Sequence, residues 1–192
     1  MEAQVSKKVY LCAGHHPASP GARGKYKGKY YSEYDIASVW IEDITRKLRG
    51  IVPIDIVPTG SLPSKVQYIN NFPALFAIEL HFNGNIHNAK GSESLYFPGS
   101  EDGKFIASTF QRYFREKDIF QPDRGIKEGW YKQDPNTQNL LYFLQRTRWP
   151  ACIVEPQFMS QVGDILKNED EGKNAIVQSI MDIYKEFATN DR

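Results

Sequence analysis

The stretch LFAIELHF, residues 75–82, indicates the fold of this chain. It is short, rich in apolar and aromatic residues, and bounded by proline and asparagine, which is the pattern of a β-strand. The stretch KVYLCAG, residues 8–14, has the same character. The first stretch ends near His81, and the second is followed by His15 and His16. Polar side chains are therefore expected at the ends of predicted strands.

Three further segments are predicted to be strands, namely IVPIDIV (51–57), SESLYF (92–97) and PACIVE (150–155). Between the strands lie segments of helical period. The first helix is predicted to begin at the N-cap residue Ser32, with Glu33 in its first turn, and to end at Gly50. Further helices are expected at 63–71, 103–117, 137–147 and 172–188. This alternation predicts right-handed crossovers and an α/β fold, a single-domain three-layer sandwich whose mostly parallel, twisted sheet has helices on both faces.

Size and composition limit the classes of function. With 192 residues, 41% of them hydrophobic, the chain suits one domain, 1–192, with a core from about residue 8 to 188. A net charge of +1 gives no reason to expect nucleic acid or an anionic membrane as a partner. No segment approaches the ~20 apolar residues of a membrane span, and the first residues lack a signal peptide. We therefore expect synthesis in the cytoplasm and no membrane insertion.

Two parts of the chain allow more than one interpretation. The segment 118–136 is the longest irregular stretch, and it is either a functional loop or a strand flanked by turns. Cys12 and Cys152 each lie in an apolar run and are expected to be free, buried thiols. A disulfide between them would require their strands to be neighbours.

The candidates for chemistry are the polar residues at the strand ends, because ligands of open α/β sheets bind beyond the carboxyl ends of the strands. This edge is predicted to carry His15, His16, His81, Glu155 and, at the start of the first helix, Glu33. Each residue alone could be an ordinary polar side chain. Together, two imidazoles and one carboxylate are a common ligand set for catalytic Zn²⁺, with water in the fourth position. Glu155 follows a run that should be buried, so it is either paired or functional, and it could serve as the base for that water.

The same residues occur in the order found in a known family. The chain resembles the zinc-dependent N-acetylmuramoyl-L-alanine amidases of the amidase-3 family, which cut the amide between muramic acid and the stem peptide of the bacterial cell wall. The resemblance spans about Lys8 to Phe187. The matching motifs are Gly14-His15, Pro20-Gly21-Ala22, Glu33, KVQYINN (65–71) with Lys65 for Arg, IELHFN (78–83), Gly91 with Glu93, and PACIVEPQF (150–158).

The resemblance implies a role for each residue. His15, Glu33 and His81 would bind one Zn²⁺, Glu155 would be the catalytic acid/base, and Asn83 would contact substrate. The implied substrate is peptidoglycan, and we expect a monomer without a separate cell-wall-binding domain. With no signal peptide, such a chain looks like a phage endolysin, which accumulates in the host cytoplasm before it reaches the wall. A bacterial autolysin that lacks its leader would look the same.

The chain departs from the family's pattern near the first histidine. The family usually has two glycines where this chain has His16 and Pro17, and an aspartate where it has Ser19. Gln157 replaces the glycine after the catalytic glutamate. Side chains alternate along an extended chain, so only one of the two adjacent histidines should reach the ion; the motif favours His15, and His16 is expected to touch substrate. These departures bear on substrate preference and leave the reaction class unchanged.

Two other functions remain as alternatives. One is a zinc peptidase or amidase that cuts within the stem peptide, although the His-x-x-Glu pair of many carboxypeptidases is absent. The other is an inactive wall-binding module of the same fold, against which the intact ligand set argues. His87 lies in a loop rich in glycine and asparagine and is expected to be exposed, with substrate contact as the alternative.

Overall fold

The secondary structure follows from a computed structural model that describes residues 7–84, 88–137 and 139–189. Within these residues the strands are β1 (Lys8–Ala13), β2 (Arg23–Tyr26), β3 (Lys29–Ser32), β4 (Ile54–Ile56), β5 (Ala74–Leu80), β6 (Ser92–Tyr96), β7 (Asp123–Glu128) and β8 (Ala151–Glu155). The α-helices are α1 (Glu33–Leu48), α2 (Leu62–Asn70), α3 (Glu101–Glu116), α4 (Tyr142–Arg146), α5 (Val162–Lys167) and α6 (Glu169–Thr189). His87 lies outside the described residues.

Six of the strands form one sheet in the order β4-β1-β5-β8-β6-β7. The first four in this order are parallel, whereas β6 runs antiparallel to β8 and β7 runs parallel to β6. This arrangement confirms the predicted α/β fold with a mostly parallel sheet. The carboxyl ends of β1, β5 and β8 lie side by side, and the amino end of the reversed strand β6 joins them on the same edge. Residues from distant parts of the sequence therefore meet there.

Helices cover both faces of the sheet. On one face α1, α3 and α6 pack their apolar sides on alternate residues of the central strands, as Trp40, Phe110 and Ile180 illustrate. On the other face α2 and α4 do the same with Ile69 and Phe143. Each large apolar side chain that is fully buried contributes about 1.5–3 kcal/mol, so both layers hold the sheet and its functional edge in place.

The first helix begins and ends as its sequence predicts. The Ser32 hydroxyl accepts a hydrogen bond from the backbone N–H of Asp35 at 3.2 Å, which satisfies one free donor of the first turn. The chain then leaves the helix at Gly50, whose φ of 80° belongs to the left-handed region that favours glycine. This start places Glu33, the first helical residue, on the functional edge of the sheet.

The predicted elements differ from the structure in four places. The predicted helix 137–147 is wrong over its first half, because Leu140 pairs with Trp130 as an isolated β-bridge and only α4 is α-helical. The irregular segment 118–136 contains strand β7, as the second interpretation proposed. Two elements of the structure have no predicted counterpart, namely the hairpin of β2 and β3 and the helix α5. At Leu140 and in β7, pairing with another segment decides the local structure.

In the part of the chain that the structure describes, no helix combines the length and the apolarity needed to cross a membrane. The two cysteines lie on strands that are separated by β5, so the condition for a disulfide is not met. Both thiols are buried, and burial raises the pKa of each.

We expect neither thiol to react quickly with Ellman's reagent in the native protein, because the reactive thiolate is both inaccessible and disfavoured. After denaturation, two thiols per chain should react. Absorbance at the reagent's product band measures both. A thiol that reacts within seconds in the folded protein would contradict the buried positions of Cys12 and Cys152.

Candidate metal centre

Three of the predicted residues meet at the functional edge. His15 follows β1, Glu33 begins α1 and His81 follows β5, and one ligand atom from each lies within 4.8 Å of the others. His15 Nε2 lies 3.1 Å from Glu33 Oε2, and His81 Nδ1 lies 2.7 Å from Glu33 Oε1. The fold thus places two imidazoles on either side of one carboxylate.

The Glu33 carboxylate is held from several directions. It is 3% exposed, its Oε1 accepts the backbone N–H of Phe82 at 3.0 Å, and its Oε2 accepts that of Ala22 at 3.0 Å. Burial by itself would raise the pKa of Glu33, but the hydrogen bonds and charges of His15 and His81 outweigh it and bring the pKa to about 2. Glu33 is therefore an anion throughout the neutral range.

Two glycines allow the three side chains to approach each other. A methyl group on Gly14 would overlap the ring of His81. At Gly21, which has a φ of +77°, it would lie 2.5 Å from both Glu33 Oε2 and the ring of His15. These close approaches give a physical reason for the Gly-His and Pro-Gly-Ala motifs in the sequence.

His81 lies between two carboxylates, because Glu79 Oε2 is 3.2 Å from its Nε2. Burial lowers the pKa of His81, but the charges of Glu79 and Glu33 and their hydrogen bonds raise it, and the net pKa is well above its usual value. A cation placed beside Glu33 would have to displace a proton from this ring. Two imidazoles and a carboxylate within reach of one point, with a second carboxylate behind, are a donor set that suits Zn²⁺.

Glu155 lies at the end of β8 beside this cluster, and both line an open cavity of about 390 Å³. The lining residues are His15, Gly21, Ala22, Glu33, His81, Phe82, Asn83, Gly84 and Glu155. Burial raises the pKa of Glu155 to about 7, and the neighbouring carboxylates Glu93 and Glu33 add to that increase. A carboxyl group with this pKa can accept and release a proton near neutral pH.

Glu93 is an additional charged residue behind the cavity. It lies opposite Glu155 in the β6–β8 register and accepts hydrogen bonds from Arg124 Nε and Lys127 Nζ, both at 2.6 Å. Burial would raise the pKa of Glu93, but these two cations lower it overall. The Asn83 amide also donates to Glu93, at 2.8 Å, so this predicted substrate contact is tied to the wall of the cavity.

With this geometry established, comparison with known proteins identifies the family. A family model described as N-acetylmuramoyl-L-alanine amidase matches residues 9–184. The chain belongs to this amidase family. Membership assigns the chain to enzymes that hydrolyse amide bonds of peptidoglycan. No curated protein gives a significant sequence match.

Solved amidase structures share the fold. An N-acetylmuramoyl-L-alanine amidase from Clostridium difficile 630 is 23% identical, with 93% of this chain and 97% of that chain covered and a TM-score of 0.75. The catalytic domain of the amidase CwlV from Bacillus (Paenibacillus) polymyxa is 22% identical, with 96% and 99% covered and a TM-score of 0.75. The catalytic domain of an endolysin targeting Clostridia difficile is 22% identical, with 92% and 98% covered and a TM-score of 0.72.

Not every residue singled out from the sequence lies in the amidase cavity. His16 does not line it, and its backbone pairs with Ser19 instead. The hairpin of β2 and β3 carries two exposed aromatic side chains, Tyr26 and Tyr30. Lys27 Nζ lies 5.3 Å from the ring centroid of Tyr26, and Lys25 Nζ lies 5.1 Å from that of Tyr30.

Two buried charged residues beside the candidate metal centre are not identified from the sequence. Lys65 and Glu79 lie close to the histidines, and the sequence motifs that contain them predict no role for either. The available signal was the charged residue inside the apolar run LFAIELHF (75–82). The same argument singles out Glu155.

Gly14→Ala should weaken zinc binding by at least about tenfold, because the added methyl group displaces the ring of His81 from the cluster. Competition with a chromogenic chelator measures the affinity, and circular dichroism checks the fold. Gly60→Ala is the matched control, since its methyl group meets only the Ser64 side chain. Unchanged zinc affinity in Gly14→Ala would show that the ring does not need its present position.

Proposed function

We propose that this chain is a zinc-dependent N-acetylmuramoyl-L-alanine amidase, which hydrolyses the amide between N-acetylmuramic acid and the L-alanine of the stem peptide in peptidoglycan. The observation that carries the proposal is the convergence of His15, Glu33 and His81 beside Glu155 in one open cavity. Family membership supports the same reaction.

Each residue has a defined task in the proposed mechanism. His15, Glu33 and His81 would hold one Zn²⁺, which when bound supplies a Lewis acid and makes water a nucleophile at neutral pH. Glu155 accepts the proton of the attacking water and returns it to the departing L-alanine nitrogen. In the metal-free chain, burial raises the pKa of Glu155 to about 7, so this carboxyl group takes up a proton more readily than an exposed glutamate does.

The charged residues behind the cavity support the proposed role of Glu155. Arg124 and Lys127 keep Glu93 ionised, and the negative charge of Glu93 in turn raises the pKa of Glu155. Asn83 lines the cavity and is our candidate for a contact with the substrate. His16 is proposed to touch substrate at the rim, outside the cavity lining.

We propose that the biological setting is phage lysis, in which the chain is made in the cytoplasm and acts on the cell wall as a monomer. The structural likeness to the catalytic domain of an endolysin supports this setting. The same fold also serves bacterial amidases, such as the one from Clostridium difficile 630.

Digestion of purified peptidoglycan, followed by mass spectrometry, tests reaction, bond and metal together. The wild-type chain should release stem peptides with new L-alanine amino termini, and a zinc chelator should abolish the release. Glu155→Gln should bind zinc but cleave about 10²–10⁴-fold more slowly, because it cannot transfer protons. Free terminal amino acids would indicate a carboxypeptidase, and near wild-type cleavage by Glu155→Gln would overturn the role of Glu155.

Glu155 should also make the metal-free protein less stable as pH rises. Its pKa is about 7 in the folded state against an ordinary value of 4.5, so deprotonation favours unfolding increasingly between these two pH values. Above pH 7, Glu155→Gln should be more stable than the wild type by up to about 3 kcal/mol, and at pH 4 the two should be equal. Urea unfolding of the metal-free proteins at pH 4, 6 and 8 measures this. A difference in stability that does not grow with pH would contradict the raised pKa.

A further inference from the structure

A buried ion pair lies beside the two histidines of the candidate metal centre. Lys65 on α2 is 3% exposed and Glu79 on β5 is 2% exposed, and Lys65 Nζ lies 3.7 Å from Glu79 Oε1. Removing both charges from water costs several kcal/mol, and the electrostatic attraction between the two ions rarely does more than offset this cost. Stability alone is therefore a poor account of this pair, and its other contacts indicate a further role.

Lys65 supports the backbone that carries His15. Its Nζ donates hydrogen bonds to the carbonyl oxygens of Ala13 and His15, the latter at 2.7 Å. His15 has a φ of 61°, in the left-handed region that costs energy for a residue with a side chain. The lysine therefore stabilises the strained turn that directs the His15 ring toward Glu33.

Glu79 supports the ring of His81. Its Oε2 lies 3.2 Å from His81 Nε2, while His81 Nδ1 faces Glu33 at 2.7 Å. Each ring nitrogen therefore has its own carboxylate. In metal sites, the ring nitrogen that does not bind the ion usually donates its N–H to a carboxylate or carbonyl, which fixes the tautomer and the orientation of the ring.

We propose that Lys65 and Glu79 act together as positioning residues for the two histidine ligands. Glu79 accepts the Nε2 proton of His81 and leaves Nδ1 free for the metal, while Lys65 holds both the Glu79 carboxylate and the turn of His15. Neither side chain lines the cavity, so both act through the histidines. This inference rests on the proposed function, because it assumes that the cluster binds zinc.

The test compares zinc affinity in variants of the full chain, measured by chelator competition and expressed per folded molecule. Glu79→Met and Lys65→Met should each bind zinc about 10–100-fold more weakly. Glu79→Gln should lie between Glu79→Met and the wild type, because its amide oxygen still accepts the Nε2 proton.

Lys173→Met is the matched control. Lys173 is 4% exposed and paired with Asp43 at 2.8 Å and Glu169 at 2.9 Å, away from the metal centre. Its loss should lower the free energy of unfolding and leave the zinc affinity unchanged. Wild-type affinity in both Glu79→Met and Lys65→Met would overturn the inference.

A second measurement needs no variant. Nitrogen-15 NMR of the histidine side chains in the zinc-loaded wild type should show His81 with a protonated Nε2 and a metal-bound Nδ1. Zinc on Nε2 of His81 would overturn the inference even if every variant failed to fold. A wild-type chain that binds zinc in this way but does not cleave peptidoglycan would overturn the proposed function alone, and one that binds no zinc would overturn both.

Discussion

The hydrogen bonds of the Glu33 carboxylate join the parts of the site. One oxygen contacts His15 and the backbone N–H of Ala22, and the other contacts His81 and the backbone N–H of Phe82. The carboxylate therefore connects the loop after β1, the start of α1 and the end of β5. A buried anion requires such partners, and the residues that satisfy it are the same ones that could surround a cation.

Two carboxyl groups of the cavity have pKa values shifted in opposite directions. The pKa of Glu33 falls to about 2 because the hydrogen bonds and charges of His15 and His81 outweigh burial. At Glu155, burial outweighs the opposing charge of His81 and raises the pKa to about 7. In many active sites, two neighbouring carboxyl groups have pKa values that their surroundings push apart. The ionised group then stabilises charge, and the other transfers a proton. The fold produces this separation by placing Glu33 at a helix start and Glu155 at the end of a buried strand.

Much of this architecture could be predicted from the sequence. The strands with continuous apolar runs and the well-capped helix α1 were predicted closely, because burial and capping are local signals. Helix α4 and strand β7 are harder to predict from the sequence, because their segments show no clear hydrophobic periodicity. Their structure depends on the pairing of Leu140 with Trp130 and of β7 with β6. The reversed direction of β6, which brings Glu93 beside Glu155, also depends on these distant pairings.

The position of Glu79 shows how a charged residue inside an apolar strand can indicate a buried ion pair. A charge inside an apolar strand is costly unless something faces it, so the position of Glu79 in its strand already indicates a residue that is either paired or functional. The sequence cannot show which cation, because Lys65 comes from a different helix and reaches Glu79 only after α2 packs on the sheet. The same reasoning applies to Glu155, where burial outweighs the charges of His81 and Lys127 and leaves a carboxyl group with a raised pKa instead of an ion pair. Interrupted apolar runs thus mark both residues, and the tertiary partners decide whether the carboxyl group forms an ion pair or has a raised pKa.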